Sequence, residues 1–213
     1  MPLQLDQGRG YAELMTPETH TAHEEGTAAL LEETGTAADH RNAALDLLGA
    51  VPSRYVRDLK LNLKAVLKSA HLPEKDAALV ALSIAANQKN ALLVRHFSQA
   101  ATQAGATADE VAEAVACASL LAANNVLYRF RHFAGKEKYQ ELRPGLRMNI
   151  MMSPATGKPL FELMSLAVSA VNGCEQCVKS HEASLIGLGS TEEQVWDAIR
   201  IASVVASMDR VVY

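Results

Sequence analysis

The sequence is poor in aromatic residues, which make up 5% of its 213 positions and include a single tryptophan. β-Sandwiches and barrels use aromatic and β-branched residues in short alternating runs, and no such run or hairpin signal is convincing here. Apolar residues of all kinds nevertheless reach 49%, many of them alanine and leucine. Because this balance favours closely packed helices, we predict an all-α fold.

A surplus of charge of either sign is also absent, since 20 Lys and Arg residues face 24 Asp and Glu residues. The net charge of −4 gives no electrostatic basis for binding nucleic acid or an anionic membrane. The N-terminus has no apolar core of signal-peptide length, and we find no apolar run near the ~20 residues that span a bilayer. We therefore expect a cytoplasmic protein with no membrane partner.

Cysteine is scarce as well, with three residues that cannot make a disulfide framework. Cys174 and Cys177 form a CxxC, which in a reducing compartment is more often redox-active or metal-binding than structural. Cys117 lies on the apolar face of a helical segment, and we predict that it belongs to the core.

The first 42 residues differ in composition from the rest of the chain. They are rich in Thr, Glu, Gly and His, and we predict an N-terminal extension that is partly disordered or holds one short helix. His20 and His23 stand beside two glutamates, but no further ligand cluster is near, so we favour a solvated tail over a metal site. Residues 43–213 carry helical patterns almost throughout, which predicts a single helical domain.

Two capping boxes, at residues 107–110 and 190–193, indicate an internal repeat. Placing Asn87 on Asn172, an offset of 85 with one later insertion, aligns helix, turn, helix, glycine stop and capped helix in residues of about 74–128 and 159–213. In this register the first copy has no counterpart of either CxxC cysteine. The residues opposite Cys174, Cys177, His181 and Glu162 are Lys89, Leu92, His96 and Ala77. We predict that the second copy carries the chemistry.

The second copy concentrates reactive side chains in one stretch. Cys174 and Cys177 are three residues apart, and His181 follows Cys177 by four, so all three share one helix face. The turn signal at residues 172–173 places the cysteines at a helix start, where free N–H groups and the macrodipole favour a thiolate. Glu162 reaches the same site if the two helices form an antiparallel hairpin.

This set suits peroxide chemistry. A Cys177 thiolate that attacks an O–O bond becomes a sulfenic acid, Cys174 can condense with it to a disulfide, and an external dithiol restores the pair. Glu162 would act as general base or proton relay beside His181. The alternatives are a zinc site of both cysteines and His181, which lacks a fourth ligand, or a buried cysteine pair without chemistry.

The chain resembles the alkyl hydroperoxidase D (AhpD) type of the carboxymuconolactone decarboxylase-like superfamily from about residue 43 to its end. The resemblance lies in KLNL at 60–63, NNVLYR at 124–129, LRPGLRMNI at 142–150 and FELMSLAVSAVNGCEQCVKSHE at 161–182. It implies an all-helical fold, usually a homotrimer, and a lipoyl-dependent thiol peroxidase. Such an enzyme reduces alkyl hydroperoxides and regenerates an AhpC-type peroxiredoxin.

The resemblance also implies residue roles. Cys177 would become the sulfenic acid, Cys174 would be proton donor and resolving partner, and Glu162 with His181 would form the proton relay. Electrons would come from dihydrolipoamide on a lipoyl-bearing 2-oxoacid dehydrogenase component, with no bound haem, flavin or metal. Gln176 departs from the family pattern, because the best-known members have a histidine there and glutamine cannot titrate.

Two other functions stay open at this point. One is a redox adaptor or disulfide reductase that passes electrons to a peroxiredoxin and has little peroxidase activity of its own. The other is a non-redox decarboxylase-like enzyme of the same superfamily, against which the CxxC argues because that chemistry needs no dithiol.

Overall fold

The structure is a computed structural model that describes residues 26–51 and 53–213. All regular elements within these ranges are helical, so the all-α prediction is confirmed. The α-helices are α1 (residues 26–33), α2 (Ala43–Gly49), α3 (Arg54–Leu67), α4 (Glu74–Asn87), α5 (Ala91–Gln103), α6 (Ala108–Ala134), α7 (Glu137–Glu141), α8 (Lys158–Val171), α9 (Glu175–Gly187) and α10 (Glu192–Met208). A short 3-10 helix, Asn149–Met151, precedes α8. His20 and His23 lie outside the described residues.

Helices α4 and α8 form the centre of the domain. Every residue from 77 to 85 in α4 and from 160 to 169 in α8 is buried. A helix that is buried on all sides needs neighbours around its whole circumference. α4 and α8 pack on each other, α5 and α9 flank one helix each, and α6 and α10 contact both.

The structure corrects the register of the repeat. Corresponding helices start 84 residues apart, at Glu74 and Lys158, at Ala91 and Glu175, and at Ala108 and Glu192. The predicted offset of 85 with an insertion is therefore wrong. It rested on matching Asn87 with Asn172, which are not equivalent residues but partners, since their amides exchange hydrogen bonds of 2.9 and 3.2 Å.

The new register changes which residues of the first copy stand opposite the reactive ones. At an offset of 84, the residues opposite Glu162, Cys174, Cys177 and His181 are Ala78, Asn90, Leu93 and Phe97. The proposed match of His96 with His181 is wrong, because His96 stands opposite Ser180. The first copy thus keeps neither the thiols nor the histidine.

A buried carboxylate in each copy of the repeat binds the loop before the central helix of the other copy. Asp197 of α10 accepts a hydrogen bond from Ser69 Oγ (2.6 Å) and binds His71 Nδ1 (3.0 Å). Glu113 of α6, at the equivalent position, accepts two backbone N–H groups and a hydroxyl from residues 155–156 at 2.6–2.8 Å. These two carboxylates fix where α4 and α8 begin.

Part of the predicted extension belongs to the folded domain. Residues 26–33 are helical, and Leu30 and Leu31 are buried in the same core as α4. Glu33 also forms an ion pair with Lys64 of α3, with 3.0 Å between Oε2 and Nζ. The domain boundary at residue 43 stays a prediction.

Helix α6 is long and apolar enough, by length and composition alone, to cross a membrane. No such segment was predicted, since no apolar run in the sequence approaches the ~20 residues that span a bilayer. Within the fold, α6 packs against α4, α8 and α9 and buries five polar side chains, Glu110, Glu113, Asn124, Asn125 and Arg131. All of these except Asn124 are hydrogen-bonded to other described parts of the protein, as buried polar groups of a core helix usually are.

The Asp197 interaction predicts a pH-dependent contribution to stability. Burial alone would raise the pKa of Asp197, but hydrogen bonds from Ser69, His71 and Arg200 outweigh it and hold the pKa below its ordinary value. A lowered pKa stabilises the fold above the unfolded pKa of ~4, and this stability is lost as the pH falls through the folded pKa. Asp197→Asn should lower the free energy of unfolding at pH 7 by roughly 2–3 kcal/mol.

Urea denaturation at pH 7 and pH 3 tests this expectation. The difference between Asp197→Asn and the wild type should shrink at pH 3. The exposed carboxylate of Asp58 offers a matched control, and Asp58→Asn should stay within about 0.5 kcal/mol of the wild type at both values. An equal loss at pH 7 and pH 3 would contradict the assignment.

Candidate active site

The two cysteines lie at the N-terminus of α9. Gly173 has a φ of +68°, a left-handed conformation that turns the chain from α8 into α9. Cys174 is the N-cap residue of α9 and Cys177 lies in its first turn. A disulfide joins them with their Cα atoms 5.3 Å apart, and both are buried. Reduction would therefore release two thiols beside free helix N–H groups.

The N-cap of α9 differs from that of its counterpart. In α5 the N-cap Asn90 accepts a hydrogen bond of 3.0 Å from the backbone N–H of Leu93. Cys174 makes no side-chain capping bond, so the N–H of Cys177 lacks the acceptor that Leu93 has. The free N–H groups at the start of α9 are therefore available to the sulfur atoms, and a helix N-terminus is a position that favours a thiolate.

A buried hydrogen bond joins α8 to α9 next to the cysteines. Glu162 Oε2 lies 2.6 Å from His181 Nδ1, and the two residues are only 4% and 9% exposed. The second carboxylate oxygen of Glu162 lies 3.0 Å from Lys158 Nζ, which also donates to the carbonyl of Met151 at 3.0 Å. The α8–α9 hairpin thus brings the predicted Glu162 and His181 together.

This hydrogen bond and the contact with Lys158 favour the ionised form of Glu162. Burial acts to raise the pKa of Glu162, but the bonds from His181 and Lys158 outweigh it and hold the pKa below its ordinary value. An ionised Glu162 accepts the Nδ1 proton of His181. Nε2 of the imidazole is then the nitrogen that can take up or release a proton.

A cavity of about 440 Å³ opens onto this pair. It is lined by Asn124, Tyr128, Met148, Met151, Met152, Lys158, Gln176, Cys177, Ser180 and His181. Cys177 and His181 line the cavity, whereas Cys174 and Glu162 are not among its lining residues. A molecule in the cavity therefore reaches Cys177 first. The predicted Gln176 is exposed and lies at the same cavity.

Several residues that line this cavity were not predicted from the sequence as site residues. The three methionines come from the connection before α8, which carries no helical pattern. Asn124 and Tyr128 come from α6, which is distant in sequence. Lys158 could have been found, because it precedes Glu162 by four residues and therefore lies on the same helix face.

Cys117 is separate from the site chemically. It is fully buried in α6, with its Sγ 3.5 Å from Ser165 Oγ, and burial raises its pKa to about 12. A thiol with such a pKa stays protonated and unreactive at neutral pH. The predicted core role of Cys117 agrees with this position.

The zinc alternative finds no support in this geometry. The Cys174 and Cys177 sulfurs are bonded to each other, and His181 Nδ1 is bound to Glu162. Across residues 26–51 and 53–213, no three His, Cys, Asp or Glu side chains are grouped so that they could hold a metal ion.

Comparison with known proteins gives a consistent result. The family model for the carboxymuconolactone decarboxylase family matches twice, at residues 55–134 and 137–213. A protein of Anaeromyxobacter dehalogenans named alkyl hydroperoxide reductase AhpD is 47% identical over 167 residues, covering 76% of this chain and 87% of the relative. Proteins of the same name from Corynebacterium kroppenstedtii and Streptomyces griseus are 40% and 38% identical, covering 76% and 78% of this chain and 92% and 93% of the relatives.

The contrast between the three cysteines predicts their labelling pattern. After reduction, iodoacetamide at pH 8 should label Cys177, which lines the cavity, in the folded protein. It should leave Cys117 unlabelled, because the buried Cys117 thiol is not ionised. Mass spectrometry of tryptic peptides would locate the labels. Denaturation before labelling is the control and should expose all three. Fast native labelling of Cys117 would contradict the assignment.

Proposed function

The chain belongs to the carboxymuconolactone decarboxylase family as an AhpD-like oxidoreductase with an antioxidant role, and we propose that it reduces alkyl hydroperoxides through a Cys174–Cys177 dithiol–disulfide cycle. The observation that carries the proposal is the buried Glu162–His181 hydrogen bond beside the CxxC, with Cys177 and His181 facing one cavity.

The first step is attack of the Cys177 thiolate on the terminal oxygen of the hydroperoxide. The O–O bond breaks, the sulfur becomes a sulfenic acid, and the alkoxide leaves. His181 donates a proton to the alkoxide, giving the alcohol, and Glu162 stabilises the protonated imidazole between steps. General acid–base assistance of this kind contributes typically 10²- to 10⁴-fold in rate.

The second step closes the disulfide. The Cys174 sulfur attacks the sulfenic sulfur of Cys177, and the hydroxyl group leaves as water. An external dithiol then reduces the disulfide by two exchange steps and becomes a disulfide itself. We propose dihydrolipoamide, carried on a lipoyl-bearing 2-oxoacid dehydrogenase component, as that dithiol.

The cavity supports an alkyl substrate. Met148, Met151 and Met152 give it a soft apolar wall, and methionine adapts to ligands of different shape. An alkyl chain can bury apolar surface there, whereas hydrogen peroxide has none to bury. Gln176 and Ser180 provide neutral polar groups at the same cavity.

An AhpC-type peroxiredoxin is the proposed protein partner, in a reducing compartment such as the cytoplasm. The CxxC would pass electrons to the peroxiredoxin disulfide by the same exchange chemistry. The rate with and without the peroxiredoxin distinguishes a peroxidase from an adaptor. An adaptor needs the partner for any substantial peroxide consumption.

Replacing Cys177 tests the proposal directly. Dihydrolipoamide-dependent consumption of tert-butyl hydroperoxide should be lost in Cys177→Ser, because the nucleophile is absent. Cys174→Ser should form a sulfenic acid once and then stop. Cys117→Ser is the matched control and should retain turnover. Continued turnover by Cys177→Ser would exclude the mechanism, and wild-type turnover only with a peroxiredoxin would favour the adaptor.

We further propose that the protein assembles as a homotrimer through α6. Val126, Phe130 and Phe133 follow one another at helical spacing and are 60%, 51% and 75% exposed, which makes an apolar stripe on its C-terminal half. Tyr128 of the same helical segment lines the cavity, so a neighbouring subunit on this stripe would lie close to the cavity.

The stripe predicts the effect of a charge on assembly. Light scattering coupled to size exclusion should give three times the chain mass of 22.9 kDa for the wild type and a smaller species for Phe133→Glu. Leu47→Glu on α2 is the control, because Leu47 is 70% exposed and lies outside the stripe. A monomeric wild type, or an unchanged mass in Phe133→Glu, would contradict the assembly.

A further inference from the structure

Asn124 of α6 has a buried side-chain oxygen for which the fold supplies no hydrogen-bond donor among the described residues. The residue is 5% exposed, and its Oδ1 is buried without a hydrogen-bond partner among the described residues. It is the one buried side-chain oxygen or nitrogen in that part of the chain without a partner. Leaving such a group unpaired costs roughly 1–3 kcal/mol, so most buried polar groups are bonded.

The neighbouring asparagine shows how α6 satisfies a buried amide elsewhere. Asn125 donates to Ser169 Oγ at 2.9 Å and accepts from Asn172 Nδ2 at 2.9 Å. Both bonds stay within the protein and join α6 to α8 and its C-cap. The two adjacent asparagines therefore have different surroundings. Asn125 is hydrogen-bonded to α8 and its C-cap, whereas Asn124 lines the cavity that Cys177 and His181 also line.

We propose that Asn124 is a positioning residue whose Oδ1 accepts the O–H hydrogen of a hydroperoxide bound in this cavity. The inference rests on the proposed function and deepens it. A hydroperoxide has a single hydrogen-bond donor, which lies on its terminal oxygen. That oxygen is the one the Cys177 thiolate attacks, so an acceptor that holds its hydrogen orients the reacting atom.

The hydrogen bond also survives the reaction. When the sulfur–oxygen bond forms and the O–O bond breaks, the hydrogen remains on the oxygen transferred to Cys177. The sulfenic acid therefore presents the same O–H to Asn124, while the alkoxide takes its proton from His181. A group that binds the same hydrogen in the hydroperoxide and in the sulfenic acid can hold it in the transition state between them.

Lys158 and Asn124 are two polar residues of this cavity that differ in whether protein groups already occupy them. The Lys158 ammonium has only donors, and it is bound to Glu162 and the Met151 carbonyl. Glu162 is bound to His181 and Lys158 and does not line the cavity. Asn124 thus lines the cavity, and its buried Oδ1 is an acceptor that no group of residues 26–51 and 53–213 uses.

Asn124→Leu separates positioning from a structural role, because leucine is similar in size and has no polar atom. Removing an unpaired buried oxygen should leave the melting temperature unchanged or raise it. The single-turnover rate constant for disulfide formation by tert-butyl hydroperoxide should fall about tenfold, the effect of losing one hydrogen bond. N-ethylmaleimide, which has no hydrogen-bond donor for Asn124 to accept, should alkylate reduced Cys177 at the wild-type rate across pH.

Asn125→Leu is the matched control on the same helix. It breaks two scaffold hydrogen bonds and should lower the melting temperature, in contrast to Asn124→Leu. A wild-type peroxide rate in Asn124→Leu would overturn this inference alone. A lower melting temperature together with slower alkylation would also overturn it, since both indicate a structural role. A wild-type protein that does not react with tert-butyl hydroperoxide would overturn the proposed function as well.

Discussion

The hydrogen bond between Glu162 and His181 is the interaction on which the rest of the candidate site depends. α8 is buried on all sides along residues 160–169, and an isolated carboxylate there would be strongly destabilising. Glu162 is tolerated because His181 and Lys158 bind its two oxygens. The same contact fixes α9 against α8, which places the cysteine-bearing turn at the cavity. A stable core and a reactive centre therefore share one set of contacts.

The two copies of the repeat show how few side chains separate a reactive site from an inert one. A smaller cleft of about 230 Å³ lies at the corresponding place in the first copy. Its residues Lys64, Leu67, Lys68, Glu74 and Ala78 stand opposite Met148, Met151, Met152, Lys158 and Glu162. The central carboxylate is replaced by a methyl group, and two of the three methionines by lysines. Glu33 of the N-terminal segment lines this cleft and pairs with Lys64.

Much of this organisation could be predicted from the sequence, because it depends on local spacing. Helical periodicity gave the fold class, and the separation of Cys174, Cys177 and His181 placed them on one helix face. The repeat register failed by one residue because asparagine identity was used to align Asn87 with Asn172, whereas the two side chains bond to each other. Asn124 and the methionines could not be assigned to the cavity, since their placement depends on how α6 and the connection before α8 pack.

The departures from ordinary helix chemistry occur together in the second copy. α5 caps its N-terminus with Asn90, whereas α9 has Cys174 there and forgoes a side-chain cap, which is typically worth about 1 kcal/mol. Asn124 lines the same cavity as Cys177, and its side-chain oxygen has no hydrogen-bond partner in the part of the chain that the structure describes. Evolved proteins break local rules chiefly where function requires it. Because Asn90 caps α5 at the equivalent position with its side chain, the fold does not require α9 to lack a side-chain cap. Both departures lie beside Cys177, which is also the residue that the CxxC spacing placed in the candidate active site.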